Sequence, residues 1–136
     1  MNDYPRFVLN RSVVMLVYKQ PFLDWLNIAD PNPLPMTLED LQDDNDTFLI
    51  PQFDDPQDSI KWVEKRWQIL FDGLLFDWLT DDAMWPQNRT VKMFREWIDI
   101  EVHSMVWDLA DEMLQVEDWG GDGAEQGAEN PNINLH

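Results

Sequence analysis

Apolar residues in this chain recur with two different periods, and the switch between them marks out its elements. Ile60, Val63, Trp67, Leu70, Leu74 and Trp78 fall three or four residues apart, the spacing of one helical face. This predicts a central helix over 55–79. Asp55 suits its N-cap, Pro56 its first position, where a missing N–H costs nothing, and Asp58 its first turn, where a carboxylate meets the positive end of the dipole. Gly73 is the one interior residue that argues against helix. Beyond Ile69, Phe71, Leu75, Phe76 and Leu79 join the first face, so the second half is expected to be covered on several sides.

Upstream, Ser12 to Tyr18 is a continuous apolar run rich in β-branched residues, which predicts a strand buried on both faces. Pro21 then opens a short helix carrying Phe22, Trp25, Leu26 and Ala29, and Asp30-Pro31 ends it. Three prolines make 31–36 irregular, and Thr37 reads as the N-cap of a short helix through Leu38 and Leu41. Thr47 to Phe53 is a second strand, with Pro51 placing its last residues at an edge. A strand, a helical crossover and a strand favour a parallel pair.

A loop over 80–87 holds Trp85-Pro86, after which Asn88 or Thr90 caps a fourth helix. Its stripes are Val91, Phe94 and Ile98, and Met93, Trp97 and Ile100. Over 101–115 both periods fit. Val102, Met105, Leu109 and Met113 continue a helix, whereas His103, Met105, Trp107 and Leu109 alternate as a strand does. Two strands alone make a poor sheet, so a third is placed at His103 to Ala110, with continued helix as the alternative. The fold class is α+β (or small α/β) in the order βα(α)βααβ: two or three strands packed against a long central helix and a second long helix. Residues 1–119 read as one globular domain. Residues 120–136, dominated by Gly, Asp, Glu, Asn and Gln without periodicity, read as a disordered acidic tail.

Composition narrows the function. Eight Trp and seven Phe within 44% apolar residues are ample for a core in 136 residues. Nine Lys plus Arg against 27 Asp plus Glu leave a formal charge of -18, which repels DNA, RNA and anionic membranes. No nucleic-acid or membrane partner is expected. With no Cys there is no disulfide, thiolate nucleophile or Cys-ligated metal. The absence of a leader pattern over residues 1–11, and of any apolar run near the roughly 18 residues of a spanning helix, points to a cytoplasmic setting.

The charge is also polarised. No basic residue falls between Lys19 and Lys61, against ten acids; none follows Arg95, against eleven. Lys61, Lys65, Arg66, Arg89, Lys92 and Arg95 cluster in the first halves of the third and fourth predicted helices, where packing would bring them together.

Candidate chemistry is thin. His103 and Ser104 would point to opposite faces of a strand, so with Asp108 they make no triad, and the simpler account of His103 is a partly buried imidazole. The run Glu39 to Asp46 resembles a calcium loop but lacks the central Gly and the final Glu. Asp54-Asp55 and Asp81-Asp82 suit helix starts and turns better than acid/base work. No catalytic residue, cofactor or metal ligand set is assigned. Trp25, Trp62, Trp85 and Trp119 fall outside the main stripes or at their margins, and an aromatic amid acids is the composition of a protein-binding surface. The candidate interaction surface is Trp25, Glu39, Asp40, Asp43, Asp44, Asp46 and Trp85.

The pieces Asn10-Arg11-Ser12, Lys19-Gln20-Pro21-Phe22-Leu23-Asp24-Trp25-Leu26, Leu49-Ile50-Pro51, Trp85-Pro86 and His103-Ser104-Met105-Val106 resemble a family of small acidic bacterial proteins with no assigned activity. The likeness covers roughly residues 8 to 110. It implies a bacterial, cytosolic setting and carries over no catalytic residue.

The reading placed first is a non-enzymatic acidic interaction module that binds a basic partner protein, as an inhibitor, an immunity protein or a nucleic-acid mimic does. It leans on an unbroken central helix beneath a continuous negative field. The alternatives are an enzyme using carboxylates, a divalent ion and His103, and a structural subunit or homodimer. In every case the excess charge repels itself in the compact state, and salt screens it. The melting temperature is therefore expected to rise between low salt and about 0.15 M; a fall over that range in a calorimetric series would contradict this.

Overall fold

The computed structural model describes residues 6–30 and 34–119. In chain order these form β1 (Phe7–Val8), β2 (Arg11–Tyr18), α1 (Gln20–Ala29), α2 (Leu38–Leu41), a 3-10 turn (Gln42–Asp44) and β3 (Asp46–Pro51). Then follow α3 (Pro56–Glu64), α4 (Trp67–Trp78), a 3-10 turn (Asp82–Met84), α5 (Val91–Trp97), β4 (Ile98–His103) and β5 (Trp107–Asp108). The result is α+β, as expected. The predicted tail at 120–136 lies outside the described residues.

The chain divides into two compact units. The larger is Val8–Val106; the other has described residues 6, 7 and 107–119. In the smaller one the Arg6 guanidinium sits 4.4 Å from the centre of the Trp107 ring, and the Asp108 carboxylate accepts the Ala110 N–H at 2.8 Å. Residues 109–119 have no regular structure there.

The larger unit is built on β2, the middle strand of a sheet ordered β3-β2-β4. Ser12, Val14, Leu16 and Tyr18 are buried and the residues between them half-buried. The expected burial on both faces is thus complete on one face only, the one from which Val14, Leu16, Tyr18, Ile50 and Ile98 enter the core. The core also takes Phe22, Leu23 and Leu26 from α1, Val63 from α3, Phe71, Leu74 and Leu75 from α4, and Phe94 from α5.

Both neighbours run antiparallel to β2, with Asp46 and Ile100 opposite Leu16. The expected parallel pairing of the first two strands is therefore wrong. One crossover helix returns a chain to the start of its strand, but this connection also holds α2 and a 3-10 turn, which lead back to the far end of β2. Gln42 fixes the return there by donating its side-chain N–H to the Tyr18 carbonyl at 2.7 Å.

The central helix over 55–79 is two helices. Its start is as predicted, with the Asp55 side chain accepting from the Gln57 N–H at 2.9 Å. At Lys65–Arg66 the ladder tightens: the Arg66 N–H bonds to the Val63 carbonyl at 2.9 Å, so the Trp62 carbonyl loses its usual partner. The Arg66 guanidinium replaces it, donating to Trp62 O at 3.0 Å while stacked 3.6 Å from the Trp62 ring centre. Gly73, the residue that argued against helix, sits inside α4 without disturbing it. Nor is α4 covered all round, since Ile69 and Phe76 remain exposed.

The fourth helix is shorter than predicted and the third strand comes earlier. Thr90 caps α5 by accepting the Met93 N–H at 3.1 Å, but helix ends at Trp97. From Ile98 the apolar residues Ile98, Ile100 and Val102 turn inward while Asp99, Glu101 and His103 are exposed. That period-two pattern was hidden by Ile98 and Ile100, which also complete helical stripes. Of the third strand expected at His103 to Ala110, His103 ends β4 and Trp107–Asp108 forms β5.

Two buried serines behave oppositely. The Ser12 hydroxyl accepts the Phe53 N–H at 3.1 Å and lies within hydrogen-bonding reach of the carbonyls of Phe53 (3.4 Å) and Ser104 (3.3 Å). It thereby ties the end of β3 and the residue after β4 to the middle strand. The Ser59 hydroxyl on α3 is equally buried and has no partner. Ser12→Ala is expected to cost about 1–3 kcal/mol by orphaning a backbone N–H, whereas Ser59→Ala is neutral or stabilising. Denaturant midpoints of the two variants check this, and equal losses would refute it.

Candidate interaction surface

The residues assigned to an interaction surface separate into two groups. Trp25 and Trp85 converge on one loop. The Trp25 indole donates to the Met84 carbonyl at 3.0 Å and the Trp85 indole to the Leu79 carbonyl at 2.7 Å. Trp25 also packs against Phe22 and Trp97, with ring centres 5.3 and 6.3 Å apart. Arg89 closes the loop: it lies 5.3 Å from the Trp85 ring centre, donates to the Pro86 carbonyl at 2.9 Å and pairs with Asp72 at 2.9 Å. Both tryptophans are half-buried: Trp25 pins the segment between α4 and α5 to α1, and Trp85 closes that segment on itself.

The acids of the second group lie on α2, the following turn and the start of β3. Glu39 and Asp43 are exposed. Asp40 forms a capping box: its carboxylate accepts the Thr37 N–H at 3.1 Å and the Thr37 hydroxyl accepts the Asp40 N–H at 3.1 Å. These bonds to Thr37, the backbone one foremost, hold its carboxyl below the usual range. Asp44 lies in the 3-10 turn and Asp46 opens β3, half-buried. Between Lys19 and Lys61 the sequence holds no cation, so α2 and β3 carry this negative charge without one of their own.

The cations gather elsewhere. Lys61, Lys65 and Arg95 line one open groove of about 460 Å³ with Glu64, Trp67 and Val91. There the Arg95 guanidinium grips the Glu64 carboxylate with two hydrogen bonds of 2.9 and 3.0 Å. This pair ties α5 to α3, and the Arg89–Asp72 pair ties the residues just before α5 to α4. Even if every Lys and Arg were matched one to one, the excess of 18 negative charges would remain.

His103, expected to be partly buried, is exposed at the end of β4, opposite Val13. Among the described residues no group of three or more His, Asp or Glu is placed to hold a metal ion, and no helix is long and apolar enough to cross a membrane. Compared with protein-family models, curated proteins and solved structures, the chain matches none.

The sequence pattern gives no reason to single out Asp77, yet it joins Asp46 in acting on Tyr18. The Tyr18 hydroxyl accepts the Trp78 indole N–H at 3.1 Å. Its pKa is raised to about 12, chiefly by burial, with the negative charges of Asp46 and Asp77 adding to the rise and the Trp78 bond opposing it. A proton held more tightly in the folded state stabilises that state fully below the unfolded value near 10, and the contribution is lost as pH climbs towards about 12. Stability is therefore expected to fall between pH 10 and about 12 in a way that Tyr18→Phe removes. Melting curves at stepped pH test this; identical alkaline loss in the variant would refute it.

Proposed function

We propose that this chain is a non-enzymatic cytosolic interaction module whose α2–β3 side docks a basic partner protein. The observation that carries the reading is the separation of charge. Arg89 and Arg95 are engaged in holding helices together, whereas α2 and β3 present acids with no cation of their own. Long-range attraction to such a face speeds encounter with a cationic surface and disfavours anionic ones. The unbroken central helix expected beneath the face is absent, since it breaks at Lys65–Arg66, and the reading rests on charge alone. What supports the face instead is the capped turn of α2 and the pairing of β3 with β2. Trp25 and Trp85 are engaged with the loop between α4 and α5, and the reading places the contacts on the acids.

The test uses a hexalysine peptide followed by titration calorimetry at low ionic strength. Asp40 is left alone because it caps α2. Removing two exposed charges by Glu39→Gln with Asp43→Asn is expected to weaken binding about tenfold, and the charge-matched pair Glu96→Gln with Asp99→Asn less than about twofold. Equal losses, or no binding by the unaltered chain, would overturn the proposal.

A further inference from the structure

Beside the acidic face, β3 and α4 leave a groove of about 180 Å³ between them, lined by Asp46, Phe48, Ile69, Leu70, Gly73, Leu74 and Asp77. A water molecule occupies about 30 Å³ in the liquid, so this is more than a hydration site. Its walls are apolar, two carboxylates line it, and no cation is among its lining residues. Gly73 faces open space, for a Cβ placed there would meet no atom within 4 Å, so a larger side chain at this position has room to enter the groove. On the same face of α4, three or four residues to either side of Gly73, Ile69 is 74% exposed and Phe76 54%. Of the two, Ile69 lines the groove, and a large apolar side chain left in water there suits a surface that a partner covers.

We infer that this groove receives a lysine side chain of the basic partner, its methylenes against Phe48, Ile69, Leu70 and Leu74 and its ammonium at Asp46 and Asp77. The inference rests on the reading of the α2–β3 side as a docking face and adds its anchor. A long apolar stem ending in a compact charge matches a groove that is apolar along its walls and anionic in its polar groups. A bare metal ion would find only two carboxylates among these seven lining residues, fewer oxygen ligands than a calcium site supplies.

Hexalysine again serves as probe, with hexa-arginine and a fully Nε-acetylated hexalysine beside it. Gly73→Leu fills the groove while replacing a poor helix former with a good one, and Asp77→Asn removes one exposed charge. Each is expected to weaken hexalysine binding about three- to fivefold, the size of one exposed ion pair, and Glu96→Gln less than about twofold. The acetylated peptide should not bind. A melting temperature for Gly73→Leu at or above that of the unaltered chain excludes a folding defect. If both groove variants bind normally while the Glu39/Asp43 variant is weakened, the groove assignment falls and the docking face stands. Equal losses for Glu96→Gln, or hexa-arginine binding more tightly and losing as much in Gly73→Leu, would also overturn the lysine assignment. Absence of any binding removes both readings.

Discussion

The constraint on which this fold depends is the burial of one face of β2 by helices, in a chain whose net charge is strongly negative. Ser12, Val14, Leu16 and Tyr18 lie beneath α1, α3, α4 and α5, and every sheet contact in the larger unit passes through their strand. An excess of 18 negative charges works against compaction, so apolar burial has to outweigh it. Aromatic residues supply much of that burial. Ring centres run from Trp78 to Tyr18 (6.2 Å), Phe22 (4.6 Å), Trp97 (6.1 Å) and Phe71 (5.7 Å), joining α4, β2, α1 and α5. Edge-on contacts of this kind add to the area they bury. The two Arg–carboxylate pairs then fix α5 laterally, so cations in short supply are placed where helices meet.

Local signals in the sequence were reliable where one residue determines one bond. Asp55, Thr37 and Thr90 all cap helices as their positions predict, and the run Ser12 to Tyr18 is a strand. What escaped a reading of periodicity depends on tertiary partners. The break at Lys65–Arg66 has no Gly or Pro to announce it and is completed by an arginine reaching back to the Trp62 carbonyl. The strand beginning at Ile98 was masked because two isoleucines fit both periods. Strand direction depends on how a connection of two helices returns, which spacing does not encode. The pieces of sequence behind the family resemblance acquire physical roles: Ser12 and the Ser104 carbonyl join strand ends, and Trp85-Pro86 with Arg89 builds the loop pinned by Trp25.

Of the candidate surface, the acids are evident from a cation-free stretch, and their placement on α2, the following turn and β3 follows from Thr37 and the strand pattern. That the indoles of Trp25 and Trp85 bond to loop carbonyls is not legible in composition. Asp77 was invisible to a reading of spacing because it draws attention only through the groove it lines with Asp46. Gly73 was the available signal, since a glycine inside a helix leaves space that another side chain can enter.

Charge therefore has two assignments in this molecule. Cations are gathered between α3, α4 and α5, where Arg89 and Arg95 pair with Asp72 and Glu64, and under the proposed function the acids of α2 and β3 serve recognition. Mapping backbone amide shifts by NMR during a hexalysine titration tests that division most directly. Saturating changes are expected on α2, β3 and the Gly73–Asp77 turn, fading as salt is raised, with α5 silent. Changes spread evenly over every acidic segment, or centred on Lys61, Lys65 and Arg95, would contradict it.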